Sequence, residues 1–249
     1  MRTAAAVGAS LALASTLMSF PAFAGPADYI YSPTVEYGER EIDFKFGTAR
    51  LPGGDRANAT SIGFGWGVTP RWFTEVYAKW HRDPGATNSF DAWEWENKFQ
   101  LTETGQWPVD IGFLLEIERP KDRTGGYEVR WGPLFQMDVT PAVQANVNPL
   151  IQKNVRAAAA GPALLGYQWQ VKYRSMPQFE FGAQGIGEVG PWSHWDPTSA
   201  QTHIAGPAVF GKVRVGGNKQ VIKYNAGLLF GMTSGSPRTT LRMQAEYEF

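Results

Sequence analysis

Residues 61–81 read SIGFGWGVTPRWFTEVYAKWH, and this stretch decides the fold. In its first half Ile62, Phe64, Trp66 and Val68 alternate with Ser61, Gly63, Gly65 and Gly67. A helix would scatter these side chains around its axis, whereas a strand puts alternate residues on one face. In the second half Trp72, Val76, Ala78 and Trp80 share one face, and Glu75, Tyr77, Lys79 and His81 share the other. Only Thr69-Pro70-Arg71 separates the two runs, so the pair predicts a hairpin with a tight turn.

The same alternation continues outward from this hairpin. DAWEWENKFQL sets Trp93, Trp95, Phe99 and Leu101 against Glu94, Glu96, Lys98 and Gln100, and VDIGFLLEIER sets Val109, Ile111, Phe113, Leu115 and Ile117 against Asp110, Gly112, Glu116 and Glu118. With VQANVNPLIQ, GYQWQVKYR, FEFGAQ, VIKYNAGLLF, LRMQAEYEF and weaker runs between them, the count comes to about twelve strands of roughly 9–14 residues. Shorter turns such as TPR and TPA alternate with longer polar loops such as HRDPGATN and EVGPWSHWDPTSAQ. No linker or composition shift divides the chain. The pattern predicts an all-β, antiparallel up-and-down transmembrane barrel of about 12 strands with short periplasmic turns and longer extracellular loops.

Alternation alone does not say which face is wet, because a soluble barrel or sandwich alternates too. The second face carries many charges and amides, with few apolar exceptions such as Leu114 and Leu150. Trp72 and Trp80 lie eight residues apart on the apolar face, about 26 Å along a strand at roughly 3.3 Å per residue. Tilted by about 40°, that separation covers roughly 20 Å of membrane normal, near the spacing of aromatic girdles. Lipid outside and a polar lumen inside is the favoured arrangement.

Residues 1–24 have a positive start at Arg2, an apolar centre from Val7 to Phe20 and a small-x-small site at Ala22-Phe23-Ala24. They predict a secretory signal cleaved after Ala24, a single barrel domain over 25–249, and a periplasmic lead-in over 25–34. The chain contains no cysteine, so neither disulfides nor an N-terminal lipidated cysteine contribute. Lys+Arg and Asp+Glu are equal at 23 each, which gives no basic excess for nucleic acid.

The chain ends LRMQAEYEF, with Tyr247 and Phe249 on the apolar side of the last strand. This ending resembles the C-terminal signature of bacterial outer-membrane β-barrels. The resemblance implies location in the outer membrane, closure of the last strand onto the first, and recognition of Tyr247 and Phe249 by the barrel-assembly machinery. Outer-membrane lipid is the other implied partner.

On the inward face, Glu94, Glu96, Glu116 and Glu118 form an acidic wall. Lys172, Arg174, Lys212 and Arg214 form a basic one, predicted to face it across the lumen. Such a field would sort small polar or charged solutes in a narrow, porin-like pore. Amides between the walls (Gln144, Asn146, Asn148, Gln168, Gln170) suit a polar solute or a hydrated lining. The alternative is a non-conducting barrel serving envelope structure or interaction, with a soluble exported barrel or a barrel enzyme behind it. His81 beside Asp83 and His194 beside Ser193 and Asp196 are sequence neighbours and so poor candidates for a convergent triad, and no catalytic, cofactor or metal residues are assigned. Trp192 and Trp195, in the longest loop, are the recognition candidates, either stacking on a sugar, entering the outer leaflet, or folding over the mouth.

Overall fold

The computed structural model describes residues 25–217 and 220–249, so the predicted signal at 1–24 lies outside the described residues. Twelve strands follow one another: β1 (Arg40–Arg50), β2 (Arg56–Thr69), β3 (Trp72–Arg82), β4 (Ser89–Gln100), β5 (Asp110–Pro120) and β6 (Tyr127–Thr140), then β7 (Val143–Val155), β8 (Leu164–Met176), β9 (Phe179–Pro191), β10 (Thr202–Arg214), β11 (Val221–Gly231) and β12 (Thr239–Glu248). Each pairs antiparallel with its sequence neighbours, and β12 closes onto β1 to complete the barrel.

That closure runs from Glu41 opposite Glu248 to Arg50 opposite Thr239, and the Phe249 amide adds a bond of 2.9 Å to the Arg40 carbonyl. The terminal strand therefore pairs with the first, as the resemblance implied. Its last two aromatic rings, Tyr247 and Phe249, stack with centroids 5.6 Å apart on the outer surface.

Burial is inverted relative to a soluble protein. Along β1, Asp43 is 0% exposed while Phe44 beside it is 47% exposed; along β4, Glu96 is 0% exposed while Trp95 is 46%. Ile62, Phe64, Trp66, Val76, Trp93, Val147, Leu228 and Met243 continue the exposed apolar belt. In water such a belt would aggregate; it is stable only where the surrounding solvent is itself apolar, which fixes lipid on the outside.

The small residues of β2 have an inward purpose. A side chain at Gly63 would meet the Tyr77 ring at 2.4 Å, and one at Gly65 would meet the Phe73 ring at 2.4 Å. These glycines make room in the lumen for the aromatic residues of β3. The connections after β2, β6 and β8 have two residues each, while those on the other rim run from 51–55 to 192–201; the 101–109 connection is the longest exception on the short-turn rim.

Candidate functional site: a strapped lumen

The lumen is not empty. Residues 25–35, predicted as part of a periplasmic lead-in, instead run inside the barrel, and this corrects the expectation for 25–34. Two prolines, Pro26 and Pro33, lack the amide needed to join a ladder. The segment's aromatic residues find their partners on the inward face.

Tyr29 donates its hydroxyl to Glu96 Oε2 at 2.5 Å, and Tyr31 donates to Glu116 Oε2 at 2.6 Å. Asn148 Nδ2 donates to the Tyr31 carbonyl at 2.9 Å, and the Tyr31 amide donates to Gln168 Oε1 at 3.4 Å. Lower down, Ser32 Oγ reaches Gln136 Oε1 at 3.3 Å and the Val35 amide donates to Gln100 Oε1 at 2.8 Å. Two of the amides predicted to suit a polar solute, Asn148 and Gln168, thus hold the chain's own backbone.

Packing completes the seat. Tyr29 and Tyr31 contact Leu114, Leu134 and Leu150, and Ile30 packs on the opposite side against Ile186, Ile204 and Leu229. Leu114 and Leu150, the exceptions in an otherwise polar inward face, are explained by this contact. Lys45 Nζ sits 3.5 Å from the centroid of the Tyr29 ring and 3.6 Å from that of Tyr77, a cation on two aromatic faces.

Above the strap, toward the long-loop rim, lies a cavity of about 740 Å³. Tyr29 and Tyr31 line its strap side, and Pro52, Asp83 and Gly235 line it from the loops. This volume falls within the range of small-molecule sites, about 300–1,000 Å³.

The predicted acidic wall converges as one group. Glu94 faces Glu118 and Glu96 faces Glu116 across the β4–β5 ladder. Their counter-charges come from the same part of the inward face and not from a facing wall. Lys79 bonds Glu94 at 2.6 Å and also Glu118. Arg130 lies 3.5 Å from Glu116 and 3.7 Å from Glu128.

The predicted basic wall is not brought opposite these acids. Arg174, Lys212 and Arg214 lie within the last three residues of β8 and β10, at the short-turn rim, while Glu94 and Glu96 sit mid-strand in β4. Lys172 pairs instead with Glu180 at 3.4 Å, Arg174 with Asp138 at 3.1 Å, and Lys212 lies 3.9 Å from Glu248. Alternation reports the face of a strand and is silent on height along the barrel axis, so it could not separate these levels.

The remaining candidates stay at the surface. Trp192 and Trp195 are each 60% exposed and do not line the cavity. His81 sits between Asp83 (3.3 Å) and Asp91 (3.0 Å) at the cavity rim.

Strand number, closure and inverted burial together define a β-barrel of the outer-membrane type. No family model and no curated protein matches the sequence. Solved structures share the fold at low identity. The NanC porin superposes with a TM-score of 0.56 at 8% identity, over 84% of this chain and 100% of that one. The KdgM porin, solved in complex with disordered oligogalacturonate, gives 0.54 at 12% identity over 84% and 99%. The translocator domain of the autotransporter NalP from Neisseria meningitidis gives 0.51 at 13% identity over 86% and 89%.

Proposed function

We propose that the protein is a narrow outer-membrane channel that favours small cations and polar solutes over anions. The observation that carries this reading is the charge of the outer cavity. Six carboxylates line it (Asp28, Asp83, Asp91, Glu94, Glu118, Glu128) against four permanent cations (Lys45, Lys79, Arg82, Arg130). A low-dielectric wall focuses that excess negative potential on the solute path and raises local cation concentration. Two structures of the same fold are porins, which supports a conducting role. The carboxylate excess has the wrong sign for a polyanion such as the oligogalacturonate of the KdgM complex.

The test is the reversal potential of the purified barrel in planar bilayers under a potassium chloride gradient. A potential displaced toward the potassium equilibrium value is expected, and neutralising Asp83 and Asp91 should move it toward zero. An anion-selective potential would discard this reading.

A second reading, a non-conducting structural barrel, is favoured by one observation: the strap fills the centre of the lumen. It predicts no current from any form of the chain, including one without the strap.

Tyr247 and Phe249 take the assembly role in this proposal. The Phe249 side chain is exposed and its amide bonds the first strand, so it is available to recognition before closure and contributes to the seam after it. Deleting Phe249 should reduce the amount of heat-modifiable barrel in the membrane fraction while leaving the conductance of each inserted molecule unchanged. Wild-type amounts of inserted barrel would count against the assignment.

A further inference from the structure

We propose that residues 25–35 are a tethered, displaceable plug: seated, they close the channel, and withdrawn toward the short-turn rim, they open it. The proposal rests on the channel reading above and names its regulation.

The nature of the attachments comes first. Among the described residues, no backbone–backbone hydrogen bond joins 25–35 to the barrel; the contacts to the strap's own amides and carbonyls come from the side chains of Asn148, Gln168 and Gln100. Side-chain contacts in a polar lumen can be exchanged for water one at a time, without breaking the barrel.

Among the described residues, backbone hydrogen bonds to the barrel begin only past residue 35. Gly38 donates its amide to the Gly67 carbonyl at 2.8 Å, and the Gly67 amide donates to the Glu39 carbonyl at 2.9 Å, anchoring the chain just before β1. Gly38 adopts φ 79, a left-handed turn that reverses the chain from the lumen into the first strand. Tyr37 beside it is 71% exposed, so its side chain adds no packing to this anchor.

The seat is shaped to this occupant. A Cβ at Gly47 would lie 1.8 Å from the Pro26 carbonyl oxygen, and a Cβ at Gly112 would lie 2.8 Å from Pro33 Cβ. Two glycine notches, in β1 and β5, let the strap lie close against the wall. Glu96 and Glu116 accept its two phenol hydroxyls, so the seat is a receptor for an extended chain that presents hydrogen-bond donors at alternate residues.

The experiment compares single-channel currents of the full-length barrel, a deletion of residues 25–35, and a Pro33→Cys, Gly112→Cys double variant. The chain has no other cysteine, and a disulfide holds its Cβ atoms about 3.5–4.5 Å apart, within a small shift of the 2.8 Å spacing here. The deletion should conduct several-fold more than wild type, and a synthetic peptide of residues 25–35 added on the short-turn side should block it. The oxidised double variant should be silent and should recover wild-type openings with reductant.

Wild-type currents unchanged by both the deletion and the disulfide would overturn the plug and leave the channel reading standing. Silence from every form, the deletion included, would overturn both. Should the deletion lose its heat-modifiable mobility, the disulfide variant decides alone, because it keeps the strap.

Discussion

Replacing Arg130 with methionine should destabilise the barrel by about 3–5 kcal/mol, the usual loss when one partner of a buried ion pair is removed and the other is left uncompensated. The Arg130 side chain is 4% exposed. Its Nε and Nη2 both donate to Gln152 Oε1 at 3.2 Å, and its Nη1 reaches the Tyr31 hydroxyl at 3.4 Å. Methionine fills a similar volume, so the loss is electrostatic: Glu116 and Glu128 would stay in the wall without their shared cation. Arg130→Lys should cost less, because it keeps the charge and loses the planar fork. The measurement is the temperature at which the folded gel band converts to the unfolded one. As a contrast, Arg71 and Glu103 form a rim pair with side chains 59% and 61% exposed, and Arg71→Met should cost no more than about 1 kcal/mol. Equal transitions for Arg130→Met and wild type would show that water in the lumen screens the cluster.

The contrast between Arg130 and the predicted basic wall shows where sequence reading reached and where it stopped. Period-two alternation placed Glu94, Glu96, Glu116 and Glu118 on the inward face, because that property belongs to each strand separately. Pairing belongs to the register between strands. Lys79 reaches Glu94 and Glu118 across neighbouring strands, past a register shift between Lys79 and Trp80 that no local residue pattern announces. Height along the axis was equally hidden, which is why Lys172, Arg174, Lys212 and Arg214 were set opposite acids that lie at another level.

The strap was partly legible. Tyr29 and Tyr31 alternate with Ile30 between Pro26 and Pro33. That is strand-like chemistry held between residues that cannot ladder on both sides, and it signals an extended segment needing a partner other than the sheet. The two lumenal leucines, Leu114 and Leu150, were the complementary signal on the barrel wall. Joining the two observations required the fold, since residues 29 and 150 are far apart in the chain and nothing in either stretch names the other.

Gly47 offers the sharpest way to separate the strap from the barrel that holds it. Gly47→Leu should unseat residues 25–35 while leaving the twelve strands intact. The obstacle a side chain would meet there is backbone: the Pro26 carbonyl oxygen at 1.8 Å, its carbon at 2.1 Å and the Ala27 amide nitrogen at 2.7 Å. No rotamer change relieves such a clash, so the strap must move. A Ser32→Cys reporter reads the outcome, since Ser32 lies within the strap, its hydroxyl reaches Gln136, and the chain has no native cysteine. A polymer-linked maleimide too large for the lumen should modify Ser32→Cys slowly in the otherwise wild-type barrel. In the Gly47→Leu background it should react faster by about tenfold or more, the change that a shift of about 1.4 kcal/mol in the seating equilibrium produces. Retained heat-modifiable mobility would show that the strands remain closed. Equal protection in both backgrounds would mean that the strap accommodates a side chain at Gly47, and the notch would lose its meaning.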